Sequence, residues 1–186
     1  MNSGDILFLN YYALPSLIFK EISDYSYFSA TIICNNSFIT FDKEKTKIVK
    51  MDNLLKSPTI RDIHIRKIKE PIDEEKLFKC FESLEGIPQE NYKNTIKLIN
   101  GVSPIRTGKL CSEILQEILS QFFPLDLPNV PFPDHFASGL DDYYHPLEKL
   151  SQNNLDSSSY QFIHRSNNRH IDNNLLFKLY PNCVDY

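Results

Sequence analysis

Apolar positions recur along this chain in two rhythms. Ile6-Leu7-Phe8-Leu9 is an unbroken apolar run behind the turn signal Gly4-Asp5, which predicts a short buried strand. Leu14, Leu17, Ile18 and Ile22 fall at helical spacing with Pro15 in the first turn, predicting a helix over residues 14–22. Residues 28–34 read as a strand closed by the turn pair Asn35-Asn36, with residues 37–41 as its hairpin partner. Residues 47–49 give a further strand, and residues 51–55 a helical turn stopped by Ser57-Pro58. Over residues 60–68, Ile63, Ile65 and Ile68 face inward while His64 and Arg66 face the other way, the alternation of a half-buried strand.

The second half is more helical. Leu77, Phe78, Phe81 and Leu84 make one stripe over residues 73–84, with acids near the start. Residues 91–100 fit either a short helix or an irregular loop. The strongest pattern lies over residues 109–122, where Leu110, Ile114, Leu115, Ile118, Leu119 and Phe122 share a wide apolar face. Pro124, Pro128, Pro131 and Pro133 then predict a surface loop over residues 124–134. A last short helix is expected over residues 141–150. Residues 151–186 are rich in Ser and Asn and read as an appended, partly ordered tail that docks through apolar islands at 160–163 and 175–177.

The chain has 186 residues, 41 % hydrophobic and 24 % charged, with a formal net charge of -4. That balance suits a globular domain at residues 1–150 and excludes wholesale disorder. The acidic excess argues against a nucleic-acid partner, and no apolar run is long enough for a transmembrane segment. No secretory leader is expected from Met1-Asn2-Ser3-Gly4-Asp5, so the expected setting is cytoplasmic, with free thiols. The cysteines, Cys34, Cys80, Cys111 and Cys183, are too scattered for a zinc site, and no phosphate-cradling glycine loop is present. No cofactor and no metal are expected.

One local arrangement carries chemistry. Gly108-Lys109-Leu110-Cys111-Ser112-Glu113 places a cysteine in the first turn of the most amphipathic helix, where orphan N–H groups favour a thiolate. The alternative is a small buried hydrophobe. Ser3-Gly4-Asp5-Ile6-Leu7-Phe8, Tyr25-Ser26-Tyr27-Phe28-Ser29-Ala30 and Leu110-Cys111-Ser112-Glu113-Ile114-Leu115 follow one another in an order that resembles a known family. Ile48-Val49-Lys50-Met51-Asp52, Gly86-Ile87-Pro88 and Phe132-Pro133-Asp134-His135-Phe136-Ala137 extend the likeness over residues 3 to 140. The family is the permuted NlpC/P60 superfamily of papain-like proteins, with its permuted amidases, lecithin:retinol acyltransferase-like proteins and poxvirus branch.

The resemblance implies an α+β, circularly permuted papain-like fold, with a small antiparallel sheet or partial barrel packed on the cysteine-bearing helix. It also implies a thiol hydrolase or acyltransferase with Cys111 as nucleophile. The sequence departs from that pattern at two places. Tyr27 stands where the family has its histidine, and the third polar position falls near Ile39 or Thr40. A phenol with a pKa of about 10 is a poor base near neutral pH. Losing general acid–base assistance costs about 10²–10⁴-fold in rate.

His135, beyond the cysteine helix, is the candidate substitute base; His64 and His145 read as solvated or packed, and His164 and His170 lie in the tail. Glu113 reads as a helix cap and Asp5 as a turn residue. The Tyr11-Tyr12, Tyr25-Tyr27 and Tyr143-Tyr144 groups read as cleft lining or core packing. The expectation is therefore a catalytically impaired relative that keeps the cleft and binds a protein, peptide or lipid-like ligand there. The alternatives are an active thiol enzyme acting on an amide or ester, and a structural or virion-associated protein. A viral origin would place the chain in the host cytoplasm or the virion.

Overall fold

A computed structural model of the protein describes residues 1–11, 23, 25–42, 44–55 and 60–150, all within the unit Met1–Leu150. The helix expected at 14–22, the stop at Ser57-Pro58 and the 151–186 tail, with Cys183, His164 and His170, lie outside the described residues. The fold is α+β.

Six strands form one antiparallel sheet: β1 (Ile6–Tyr11), β2 (Ser29–Cys34), β3 (Ser37–Asp42), β4 (Lys45–Lys50), β5 (Ile60–Arg66) and β6 (Glu148–Lys149), in the order β4-β3-β2-β1-β5-β6. Among the described residues five helices accompany it: α1 (Met51–Leu55), α2 (Glu74–Leu84), α3 (Tyr92–Ile99), α4 (Cys111–Leu119) and α5 (Pro133–Ser138).

β1 is central because it is apolar on both sides. Ile6 and Phe8 enter the core beneath α2 and α4, with Ile32, Leu77, Phe81, Ile114 and Ile118. Leu7 and Leu9 enter a second core on the opposite face, with Ile33, Phe38, Met51, Ile63 and Ile65. That double burial is why residues 6–9 do not alternate. The β2–β3 hairpin closes on Asn35 and Asn36, both at positive φ (47° and 55°), the primed turn that asparagine tolerates and strand twist favours. Helix α2 starts where Asp73 accepts the Lys76 N–H at 3.0 Å.

Two expectations fail here. β5 keeps the alternation at Ile63, His64 and Ile65, but its second face ends in Arg66, which is not solvated: it is only 1 % exposed, beneath the chain at residues 136–145. The guanidinium donates to the carbonyls of His145 (3.0 Å), Phe136 (3.0 Å) and Ala137 (3.2 Å) and to Asp141 (2.5 Å). A charge can be buried there because carbonyls remote in sequence satisfy its donors. His64, beside it on the same face, rests its ring on Tyr27 at 5.3 Å rather than in bulk solvent.

Residues 141–150 form no helix. After a turn at 141–143 the chain runs along β5, with His145 N–H donating to Lys67 O (2.9 Å) and Leu150 N–H to Ile63 O (3.0 Å). Pro146 removes a donor that a helix would need, and the open edge of β5 supplies alternative partners. Residues 91–100 resolve to helix α3, capped by Asn91, which accepts the Asn94 N–H at 2.9 Å. The loop from residue 124 ends in α5, which opens on Pro133.

Candidate functional site

The cysteine helix is positioned by the segment before it. Residues 88–90 and 107–109 lie side by side: Lys109 N–H donates to Pro88 O and Glu90 N–H to Lys109 O, both at 2.9 Å. The approach is close enough that a Cβ on Gly108 would stand 2.3 Å from Pro88 O. Glycine is therefore required at this position. Leu110 then caps α4 with no side-chain acceptor of its own. Glu113, two residues past the cysteine, accepts the Leu110 N–H at 2.7 Å and takes the capping role read from sequence. Ser112 anchors the same turn through its hydroxyl, which donates to Pro131 O at 2.7 Å.

These contacts set Cys111 at the first position of α4, against the start of β2. Burial pushes its thiol pKa upward. Hydrogen bonds from the Ala30 N–H, the Ser29 hydroxyl and the N–H groups of Ser112 and Cys111 pull the other way, and burial prevails. Tyr11 stands close enough to be affected by the cysteine's charge and shares Ser29 as a hydrogen-bond partner; burial again raises the phenol pKa. A hydroxyl–thiol group of Tyr11, Ser29 and Cys111 results.

Cys111 remains half-buried and lines a cleft of about 830 Å³. Tyr11, Phe28, Phe41, Leu110 and Phe132 give this cleft an aromatic and aliphatic side. Glu44, Lys45, Asn91, Tyr92, Thr95 and Thr107 give it a polar one. Thr40 also lines it. Of the residues singled out in the sequence, the structure brings Cys111, Thr40 and Tyr11 to one cavity.

Tyr27 and His135 are not among the described lining residues. Tyr27 is 8 % exposed and its ring packs on Phe8 at 5.2 Å and on His64. Burial raises its pKa, assisted by Asp134 and Asp62. Its backbone N–H and that of Ser26 both donate to the Asp134 carboxylate, at 3.1 and 2.7 Å. His135 is used locally: Nδ1 accepts the Phe132 N–H at 2.8 Å, and the ring meets Tyr25 at 5.8 Å. An accepting Nδ1 places the proton of a neutral ring on Nε2. Asp5 ties its turn to the end of β5, accepting the N–H groups of Asn2 (2.7 Å) and Ile68 (3.0 Å).

The polar wall has a feature that sequence reading missed. Glu90, 3 % exposed, accepts from Arg106 Nε (2.8 Å), Asn94 Nδ2 (3.0 Å) and the Thr107 hydroxyl (2.8 Å). Burial alone would raise its pKa. The hydrogen bonds from Arg106, Asn94, Thr107 and the Asn91 backbone outweigh it and hold the carboxyl down at about 2. No spacing rule marks Glu90 or Arg106, which meet only after α3 folds back. Among the described residues no group of three metal-ligating side chains converges, and no helix is long and apolar enough to cross a membrane. No family model matches the chain, and no curated protein matches it in sequence.

Proposed function

We propose that residues 3–140 form a permuted papain-like domain of the NlpC/P60 type that retains its cysteine but has lost efficient catalysis, and that it works by binding a peptide or lipid-like ligand in the cleft over Cys111. The order of the motifs supports the family assignment, together with a cysteine at the first position of a helix packed on an antiparallel sheet. The observation that carries the functional reading is the setting of the thiol. Among the described residues its hydrogen-bond partners are the Ser29 hydroxyl and backbone N–H groups, with Tyr11 beside them, and burial pushes the thiol pKa above its ordinary value. A neutral thiol is a weak nucleophile, and the groups that hydrogen-bond it are all donors, so none serves as the base.

The same donors favour the rival reading, an active thiol hydrolase or acyltransferase, because they would stabilise charge on sulfur or on a developing oxyanion. One pair of assays separates the two. The full chain is incubated with p-nitrophenyl acetate beside Cys111→Ala, and a fluorescent acyl-chain probe and a labelled peptide are titrated into the wild type. The impaired reading expects binding that competes with alkylation of Cys111, and equally slow hydrolysis by wild type and variant. A burst of nitrophenol that disappears with Cys111→Ala overturns the impaired reading in favour of an enzyme.

A further inference from the structure

The entry of β2 is held by side chains rather than by a neighbouring strand. Ladder pairing with β1 begins only at Ser29, opposite Leu9. Just before it, Ser26 and Tyr27 donate their N–H groups to the two carboxylate oxygens of Asp134, at 2.7 and 3.1 Å. Phe28 donates its N–H to Asn10 Oδ1 at 3.2 Å, and Asn10 Nδ2 donates back to Ser26 O at 3.1 Å. Backbone donors need partners, and here an amide from β1 and a carboxylate from α5 supply them.

This segment leads directly to the thiol. Ser29 and Ala30, the next two residues after it, bring a hydroxyl and an N–H to Cys111, and Phe28 lines the cleft beside them. The other end of the clamp leads back to the same place. Asp134 lies in the first turn of α5, and Phe132 and Pro133 just before it line the cleft. Pro131 O accepts the hydroxyl of Ser112, the residue that follows the cysteine. Asp134 thus closes a ring of contacts that runs from Cys111 through β2 and α5 back to the first turn of α4.

We propose that Asp134 is a positioning residue of the cleft: by holding residues 26 and 27 it keeps the Ser29 hydroxyl and the Ala30 N–H directed at the Cys111 sulfur. This deepens the reading of the cleft given above and rests on Cys111 being its central thiol. Asp134 is not among the described lining residues, so it acts through β2 rather than on a ligand. A carboxylate suits the role because its two oxygens each accept one N–H, and asparagine keeps only one of them. A bare charge effect would have the opposite sign. Removing a negative charge near a thiol favours the thiolate, whereas losing aligned donors disfavours it.

The test is the pH–rate profile of Cys111 alkylation by iodoacetamide in the full chain, read by peptide mapping. Asp134→Ala should move the midpoint upward by about half a pH unit or more and slow labelling below the midpoint about threefold. Asp134→Asn should fall between it and the wild type, and carries the test if thermal unfolding shows that the alanine variant does not fold. Ser29→Ala should shift the wild-type profile but add little in the Asp134→Ala or Asp134→Asn background, as expected of two residues that act through one contact. The other ionisable groups that line the cleft, Tyr11, Glu44, Lys45, Glu90 and Tyr92, are the same in every variant. An unchanged or lowered midpoint in a folded variant, or a full Ser29→Ala effect in that background, overturns the proposal. Alkylation needs neither ligand nor turnover, so this proposal can fail while the binding reading stands, and the reverse.

Discussion

Arg106 grips Glu113 with both prongs of its guanidinium, Nη1 to Oε1 at 2.7 Å and Nη2 to Oε2 at 2.5 Å, while Glu113 accepts the Leu110 N–H at the start of the cysteine helix. Arg106 Nε reaches the buried Glu90 at 2.8 Å, and Nη2 also donates to Gly108 O at 3.1 Å. One arginine thus joins the α3 side of the cleft to the helix that bears Cys111. Its planar fork is what makes three partners possible, and lysine would not replace it.

Arg106→Met should destabilise the protein by about 3–5 kcal/mol, because it leaves the Glu90 carboxylate buried without its cation. Urea unfolding near neutral pH measures this. A loss under about 1 kcal/mol would mean that the neutral donors around Glu90 suffice.

The same carboxylate sets an acid limb. A folded pKa of about 2 against an ordinary 4.5 means that the Glu90 contribution is whole above the ordinary value. It fades as pH falls from there toward the folded pKa. Stability of the wild type should therefore decline across that window, and Glu90→Gln should flatten the decline while lowering stability at pH 7. Parallel curves for the two proteins would assign the acid limb to other groups.

Cys111 should label slowly with iodoacetamide at neutral pH, with an apparent pKa above the ordinary thiol value. Ser29→Ala removes a hydrogen bond that favours the thiolate and should slow labelling further. Peptide mapping separates this site from Cys34, whose thiol burial pushes up to about 11. Fast labelling near pH 6 contradicts the assignment of a protonated sulfur.

Arg66 tests which acceptors matter in the core. Among the described residues Asp141 is its only charged acceptor, but that side chain is 84 % exposed, whereas Phe136 O and Ala137 O belong to the last turn of α5. Asp141→Asn should cost under about 1 kcal/mol, since an exposed carboxylate is screened by water. Arg66→Met should cost about 3 kcal/mol or more by leaving backbone carbonyls unsatisfied. Comparable losses in chemical denaturation would show that the ion pair governs.

Gly108→Ala forces a Cβ against Pro88 O and should lower stability by about 2–4 kcal/mol, with a larger effect on Cys111 labelling than a surface glycine substitution has. Gly86→Ala is the comparison, since nothing lies within 4 Å of a Cβ there, although its positive φ (83°) carries a strain of its own. Equal losses at the two positions would mean that the close approach to Pro88 relaxes freely.

Much of the secondary structure was legible in the sequence because its signals are local. The unbroken run Ile6–Leu9, the Asn35-Asn36 turn and the stripes of α2 and α4 each depend on residues within a few positions of one another. Residues 141–150 misled because their fate depends on β5, roughly eighty positions earlier, offering a free edge. Arg66 and His64 misled for a related reason: alternation reports that a strand has two faces, not that both will be covered.

At the candidate site the division is sharper. Sequence by itself determined that a cysteine opens an amphipathic helix, that a glutamate three positions past Leu110 caps it, and that glycine precedes it. Only the tertiary structure decided that Ser29, Thr40 and Tyr11 gather near that cysteine while Tyr27 turns to Phe8 and His64, and that Glu90 and Arg106 meet in the cleft wall. Helix caps and periodicity are set by hydrogen bonds a few residues long. The ionisation of a thiol and the company of a buried carboxylate depend on which distant segments exclude water around them, and no local pattern in the chain encodes that exclusion.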